Sequence, residues 1–264
     1  MKKINFNHHP ISFNDEGDGP ALVLLHGFME SLQIWDEFAQ ILSKSFRVVR
    51  IDLPGHGKTP VMYELHPMSL MAEVVKTVLE ELQINKCVMV GHSMGGYVTL
   101  DFAKQFPELL SGICLFHSQA AADNEKEREN RRRTINIVKM NRAGFIQQFI
   151  PDLFAPSNIE KYSGEILTLQ RQAANTSAEG IIAALEGMKV RPGSLGFLIN
   201  TTLPILFIAG KEDNRIAIQT ILAQAILPAH SEILMLSGVG HMGFVEAKKE
   251  TLQVIEGFAK RMLD

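Results

Sequence analysis

The sequence predicts an α/β protein with a mostly parallel central sheet, flanked by helices and carrying an inserted helical cap. Three observations lead there. Short apolar runs alternate with stretches of helical periodicity over residues 21–116, the signature of successive βα units. From about Gln119 to Asn200 no strand-like run occurs and the chain reads as helices only. After Pro204 the alternation resumes, so one sheet must be assembled from both sides of the insert. The expected division is a core of residues 1–118 and 200–264 with a cap of residues 119–199.

Taken in order, Lys3 to Phe6 and Ile11 to Asn14 flank His9-Pro10 as an opening hairpin. Ala21 to Leu25, a continuous apolar run, and Phe46 to Ile51, apolar apart from Arg47 and Arg50, read as strands covered on both faces. Between them Ile34, Trp35, Phe38, Ile41 and Leu42 recur at helical spacing. Leu70, Met71, Val74, Val75, Val78, Leu79 and Leu82 do the same before the strand Lys86 to Val90. Gly95 to Gln105 reads as a helix stopped near Pro107, and Gly112 to Phe116 as the next strand. Inside the insert, Ser157 with Glu160 and Thr176 with Glu179 have the spacing of capping boxes. Beyond it come strand Ile205 to Ala209, helix Ile216 to Leu227, strand Ile233 to Leu236 and a final helix from about Val245 to Met262.

Composition excludes several classes. With 46% hydrophobic and 21% charged residues in 264, the chain is globular in character rather than disordered. Its longest apolar runs fall far short of the roughly 20 residues of a spanning helix, so no membrane insertion is expected. The net charge of −3 gives no reason to expect nucleic acid as a partner. The basic cluster Arg131-Arg132-Arg133 lies among alternating acids and bases from Asp123 to Arg142, the pattern of a solvated helix face. No secretory signal follows Met1-Lys2-Lys3, and Cys87 and Cys114 each lie in an apolar run, so a reduced, cytoplasmic compartment is expected.

The chemistry concentrates at Gly91-His92-Ser93-Met94-Gly95, directly after a strand and directly before a helix. A serine on so sharp a turn projects its Oγ above the sheet, and the flanking glycines let strand and helix approach without a Cβ clash. A serine hydroxyl is a weak nucleophile and needs a base, which needs an orienting acid. His241 lies in a glycine-rich loop after the last strand, and Asp213 shortly after the strand ending at Ala209. All three fall at carboxyl ends of strands.

In this context the chain resembles the α/β-hydrolase fold superfamily, in its lidded, serine esterase-like form. His26-Gly27-Phe28, Asp52-Leu53-Pro54-Gly55-His56-Gly57, the Ser93 turn, Gly210-Lys211-Glu212-Asp213 and Gly240-His241 match its landmarks in order over nearly the whole chain. The resemblance implies a catalytic triad of Ser93, Asp213 and His241 on a nucleophile elbow. It also implies an oxyanion hole formed by the backbone N–H groups of Phe28 and Met94, with His26, Gly27, Gly91 and Gly95 as supporting loop residues. The implied activity is hydrolysis of a small to medium carboxylic ester through an acyl-serine intermediate, with a small-molecule substrate and neither cofactor nor metal.

Other assignments stay open beside it. Glu212 competes with Asp213 as the acid, and is expected to be exposed. The strand ending at Phe116 offers His117-Ser118-Gln119, with no carboxylate where some relatives carry the acid. His92 and His56 read as structural, Asp52 as bonded to local amides, and His8, His9, His66 and His230 as surface. Met140, Phe145, Phe149, Ile150, Leu153, Phe154, Leu167 and Leu185 offer an apolar lining from the cap, and Arg171 or Arg191 a site for a substrate carboxylate. The same triad also serves C–C bond hydrolysis, thioester hydrolysis or a menaquinone-pathway-like lyase reaction. A ligand receptor that kept the fold is the non-enzymatic alternative. A serine in the nucleophile position argues against haloalkane dehalogenase and epoxide hydrolase chemistry.

Overall fold

The computed structural model describes all 264 residues. Eight strands form one sheet in the order β1-β2-β4-β3-β5-β6-β7-β8. They are β1 (Lys2–Phe6), β2 (His9–Glu16), β3 (Ala21–Leu25), β4 (Arg47–Ile51), β5 (Cys87–His92), β6 (Leu110–Phe116), β7 (Ile205–Gly210) and β8 (Ser231–Leu236). β1 pairs antiparallel with β2, and β2 with β4; every other pairing is parallel. β3, β5 and β7 are buried at every residue, which follows from their unbroken apolar sequences and from helices on both faces.

The helices are α1 (Asp36–Leu42), α2 (Met68–Glu81), α3 (Met94–Gln105), α4 (Glu125–Phe149), α5 (Ser163–Ala173), α6 (Ala178–Val190), α7 (Leu195–Asn200), α8 (Ile218–Ala225), α9 (Gly243–Glu246) and α10 (Lys248–Leu263). α3 and α10 both pack on β5 and β6, α2 lies on α3, and α8 packs on β7 and β8. Between β6 and β7 the chain is helical and contributes no strand. Its Ile135, Val138, Ile146, Ile181 and Leu185 belong to the same contiguous core of 73 buried apolar residues as the strands. This segment therefore shares the main core rather than forming a separate one. No helix is long and apolar enough to cross a membrane. Cys87 and Cys114 are buried free thiols, and burial pushes Cys87 up to about 12, which leaves it unreactive at neutral pH.

Several local expectations are corrected. Neither anticipated capping box forms. Ser157 lies within a short 3-10 turn, Pro156–Asn158, and α6 is capped one residue later than expected, by Ser177 accepting from Gly180 N–H. The capping box that does form is Asn124 with Glu127, at the start of α4. α4 breaks its dihedrals at Asn141, whose side chain accepts from Gly144 N–H and so starts the helix afresh. The single final helix is two, because Ala247 leaves helical geometry between α9 and α10. His66 is buried, not surface: its Nε2 accepts from the N–H groups of Met62 and Tyr63, and burial pushes it down to about 4. Nor is the Asp123 to Arg142 run wholly solvated, since Arg131 turns inward and forms a bidentate pair with buried Asp123.

Candidate active site

The Ser93 turn joins β5 to α3 with φ 50° and ψ −113°, in the left-handed half of the map that few non-glycine residues occupy. Neighbouring contacts enforce it. Ser93 N–H donates to Phe116 O across the sheet, and Ser118 Oγ donates to Ser93 O. A methyl group on Gly91 would lie 2.3 Å from Gly95 O, and one on Gly95 would lie 2.6 Å from His26 O. Each glycine is thus required by close backbone approach.

His241 follows β8 and reaches back over this turn. Its Nε2 lies 2.9 Å from Ser93 Oγ, and its Nδ1 lies 2.7 Å from Asp213 Oδ2. A proton on Nδ1 is needed to donate to the carboxylate, which leaves Nε2 as the acceptor of the Ser93 hydroxyl. The other oxygen of Asp213, Oδ1, accepts from the backbone N–H groups of Arg215 and Ile216 at 2.8 and 3.0 Å. Burial works to raise the Asp213 carboxyl. The His241 charge, with the hydrogen bonds from His117 and His241, outweighs burial and holds the group far below the usual carboxylate range. Glu212, one residue away, is exposed and accepts from Val239 N–H.

The loop after β3 carries Phe28. His26 is fully buried; its Nε2 accepts from Leu53 N–H at 2.9 Å and its Nδ1 donates to Gly27 O at 2.8 Å, a neutral tautomer that burial favours. Asp52 bonds backbone amides as expected, accepting from Leu32 and Lys58 N–H. The N–H of Phe28 has no backbone partner, and Met94 is the first residue of α3, where a helix leaves its N–H unpaired. The positive end of α3 points the same way.

These groups open onto a cavity of about 230 Å³ lined by 18 residues. Phe28, Phe149, Leu153, Leu185, Met188 and Ile216 form apolar wall; Gln119, Asp123, Glu127, Asn130, Arg131 and Thr134 form a polar end. Of the eight apolar residues expected to line it, Phe149, Leu153 and Leu185 do, whereas Met140 and Leu167 face solvent. Arg191 offers no free site for a carboxylate: it is buried, pairs with Asp123 and lies over the Tyr97 ring.

His117, which the sequence leaves open between facing the pocket and a capping or structural role, and Glu246, which nothing in the sequence singles out, bond to Asp213 and to the His241 loop respectively. His117 donates from Nδ1 to Asp213 Oδ2 at 3.1 Å, and burial pushes it down to about 4. Glu246 accepts from Gly240 and Met242 N–H on either side of His241, and from Ala155 N–H and Asn158 Nδ2 in the helical segment. No motif marks either, because their partners lie far away in sequence. His117, Asp213 and His241 also bring three metal-capable donor atoms within 4.8 Å. Each of the two histidines already spends a nitrogen on the Asp213 carboxylate, so hydrogen bonding accounts for the cluster.

Known proteins place this architecture. A malate-bound thermophilic esterase from Thermogutta terrifontis superposes over 100% of both chains with a TM-score of 0.94 and 27% identity. The pimeloyl-[acyl-carrier protein] methyl ester esterase of Aeromonas hydrophila is 26% identical over 267 residues, spanning 94% of this chain and 98% of that protein. An uncharacterised Mycobacterium tuberculosis protein is 34% identical over 104 residues, 39% of this chain and 30% of that protein, so this match spans under a third of the longer relative. The sequence model of the α/β hydrolase fold matches residues 20–248. The chain belongs to the α/β hydrolase fold family.

Proposed function

We propose that the protein is a serine hydrolase that cleaves small to medium carboxylic esters through an acyl-serine intermediate. The observation that carries this reading is the hydrogen-bonded series from Ser93 Oγ through His241 to Asp213, opening onto a partly apolar cavity. The similarity to the Thermogutta esterase and to the methyl ester esterase supports it.

In this reading Ser93 Oγ attacks the ester carbonyl as its proton passes to His241 Nε2. Asp213 holds the tautomer and stabilises the imidazolium. The carbonyl oxygen, now negative, takes hydrogen bonds from the N–H groups of Phe28 and Met94; such a donor is typically worth about 3 kcal/mol of transition-state stabilisation. His241 then protonates the alkoxide, which leaves as the alcohol. Water, deprotonated by His241, attacks the acyl-serine, and Ser93 is released with the carboxylic acid. Gly27, His26, Gly91 and Gly95 hold the two loops in register. Residues 119–199 act as the cap, closing the cavity with Phe149, Leu153, Leu185 and Met188. The cavity lies below the roughly 300 Å³ at which pockets for drug-sized ligands begin, which favours short acyl chains. The reduced thiols favour the cytoplasm as its place of action.

Hydrolysis of p-nitrophenyl acetate, butyrate and dodecanoate by the wild type and by Ser93→Ala tests the reading. The wild type is expected to turn over the short esters fastest, and Ser93→Ala to lose at least about a thousandfold in kcat. Equal rates in the two proteins would remove it.

A further inference from the structure

His92 precedes the nucleophile in sequence, and Glu30 ends the turn that carries Phe28. Both side chains are buried, at 1% and 4% exposure, and they meet with His92 Nδ1 2.9 Å from Glu30 Oε2. The other ring nitrogen, Nε2, lies 3.0 Å from the backbone oxygen of His241. Carboxylate and carbonyl oxygens only accept, so a ring bonded to both must carry a proton on each nitrogen. We propose that His92 is a standing imidazolium paired with the Glu30 carboxylate, and that this buried ion pair positions the His241 loop against the Phe28 loop. The positioning role rests on the reading of Ser93 and His241 as a nucleophile and its base; the charge state does not.

The pair spans the two halves of the site. On one side Glu30 Oε2 also accepts Gly27 N–H, which fixes the peptide immediately before Phe28. On the other, the His92 Nε2–H holds the carbonyl of His241, whose own N–H donates to Leu153 O in the helical segment. His241 is thus gripped at both ends of its backbone, while its ring bridges Ser93 Oγ and Asp213 Oδ2. Gly27 must lack a side chain for the pair to close, since a Cβ there would lie 2.7 Å from Glu30 Oε2 and 2.8 Å from His92 Nδ1.

The surroundings agree with the ionic form. Phe116 and Phe244 pack against the His92 ring edge-on at 5.7 and 5.1 Å. The charged groups facing it are Glu30 and Asp213, which favour its charge, while the rings of His241 and His117 lie beside it and buried His26 and His117 are held neutral. Burial lowers the His92 pKa, but the Glu30 charge and hydrogen bond outweigh it and leave the ring raised. Burial likewise raises Glu30, and the His92 charge brings it below its ordinary value. Were the shared proton on Glu30 instead, Gly27 N–H would have only a hydroxyl oxygen to meet, a weaker acceptor than a carboxylate.

Nitrogen-15 spectra of the histidine rings in the wild-type protein test this directly, with His92 assigned by its loss in His92→Gln. Both His92 nitrogens are expected to stay protonated across the range of about pH 5 to about pH 8 in which an ordinary imidazole changes charge. A His92 that is neutral at pH 7 overturns the proposal. In Glu30→Gln the ring is expected to lose a proton within that range, with kcat down about tenfold or more and KM within about twofold. An unchanged kcat alongside a neutral His92 overturns the positioning role. If Glu30→Gln does not fold, the wild-type spectra still decide the charge state. If the wild type hydrolyses no ester, the functional reading falls while the His92 spectra are read as before.

Discussion

His117 Nδ1 lies 3.1 Å from Asp213 Oδ2, the same oxygen that receives the His241 Nδ1–H at 2.7 Å. Two backbone N–H groups occupy the other oxygen, so four donors share one carboxylate. His117 stands immediately after β6, with φ 46°, held by its own N–H on Ile208 O.

The first prediction follows from that sharing. In His117→Phe the carboxylate gives up one donor. The carboxylate is then held less firmly against His241, so kcat is expected to fall by up to about tenfold with KM within about twofold. Steady-state kinetics on p-nitrophenyl butyrate measure the fall, and an unchanged kcat contradicts the role given to His117.

Asp213 and Glu212 are separated by exposure and by partners. Asp213→Asn, which reverses the tautomer preference of His241, is expected to lower kcat by about 10⁴-fold. Glu212→Gln removes only an acceptor for Val239 N–H at the surface and is expected to cost less than about tenfold. Steady-state kinetics on both variants decide, and the reverse order would reassign the acid.

Glu246 holds the backbone on both sides of His241 and ties it to Ala155 and Asn158. Glu246→Ala strands three backbone N–H groups, each stranded group costing roughly 1–3 kcal/mol where it is shut off from water. Thermal unfolding is expected at least about 4 °C below the wild type. The looser His241 loop should also lower kcat more than it raises KM. A variant with wild-type unfolding and turnover would show that the loop is held by other contacts.

Three buried histidines make the fold sensitive to acid. Burial pushes His117 and His66 down to about 4 and His56 to about 3, so they are neutral when folded and take up protons when unfolded. Below the unfolded value of about 6.5 the unfolded chain binds more protons, so stability falls with pH until the folded values are reached. For His117 alone this amounts to something on the order of 3 kcal/mol. Urea unfolding from about pH 7 to about pH 4 should show the midpoint dropping steadily over that window. A midpoint flat from about pH 6.5 downward would contradict the assignment.

The local periodicities of the core were legible because central strands such as β3 and β7 are apolar runs and helices such as α2 carry a regular apolar stripe. The Ser93 turn was legible because its constraint, two glycines about a strained serine, is written into adjacent residues. What escaped depends on partners distant in the chain. Glu30 and His92 are 62 residues apart and meet only when β3 and β5 pair; Glu246 finds Ala155 only when the helical segment lies against the last loop. The inward turn of Arg131 was hidden for the same reason, since its Asp123 partner reads in sequence as one more charge on a solvated face. The capping boxes failed because the spacing of Ser or Thr with Glu recurs by chance wherever polar residues are dense, and only the backbone decides which is used.

The proposed hydrolysis requires Ser93 to be a nucleophile activated by His241. Intact-mass and peptide mass spectrometry after treatment with a fluorophosphonate tests it most directly. One adduct per chain is expected, located on Ser93, formed rapidly in the wild type and slowed at least about a hundredfold in His241→Ala. An adduct on another residue, or labelling of Ser93 that His241→Ala leaves unchanged, would contradict it.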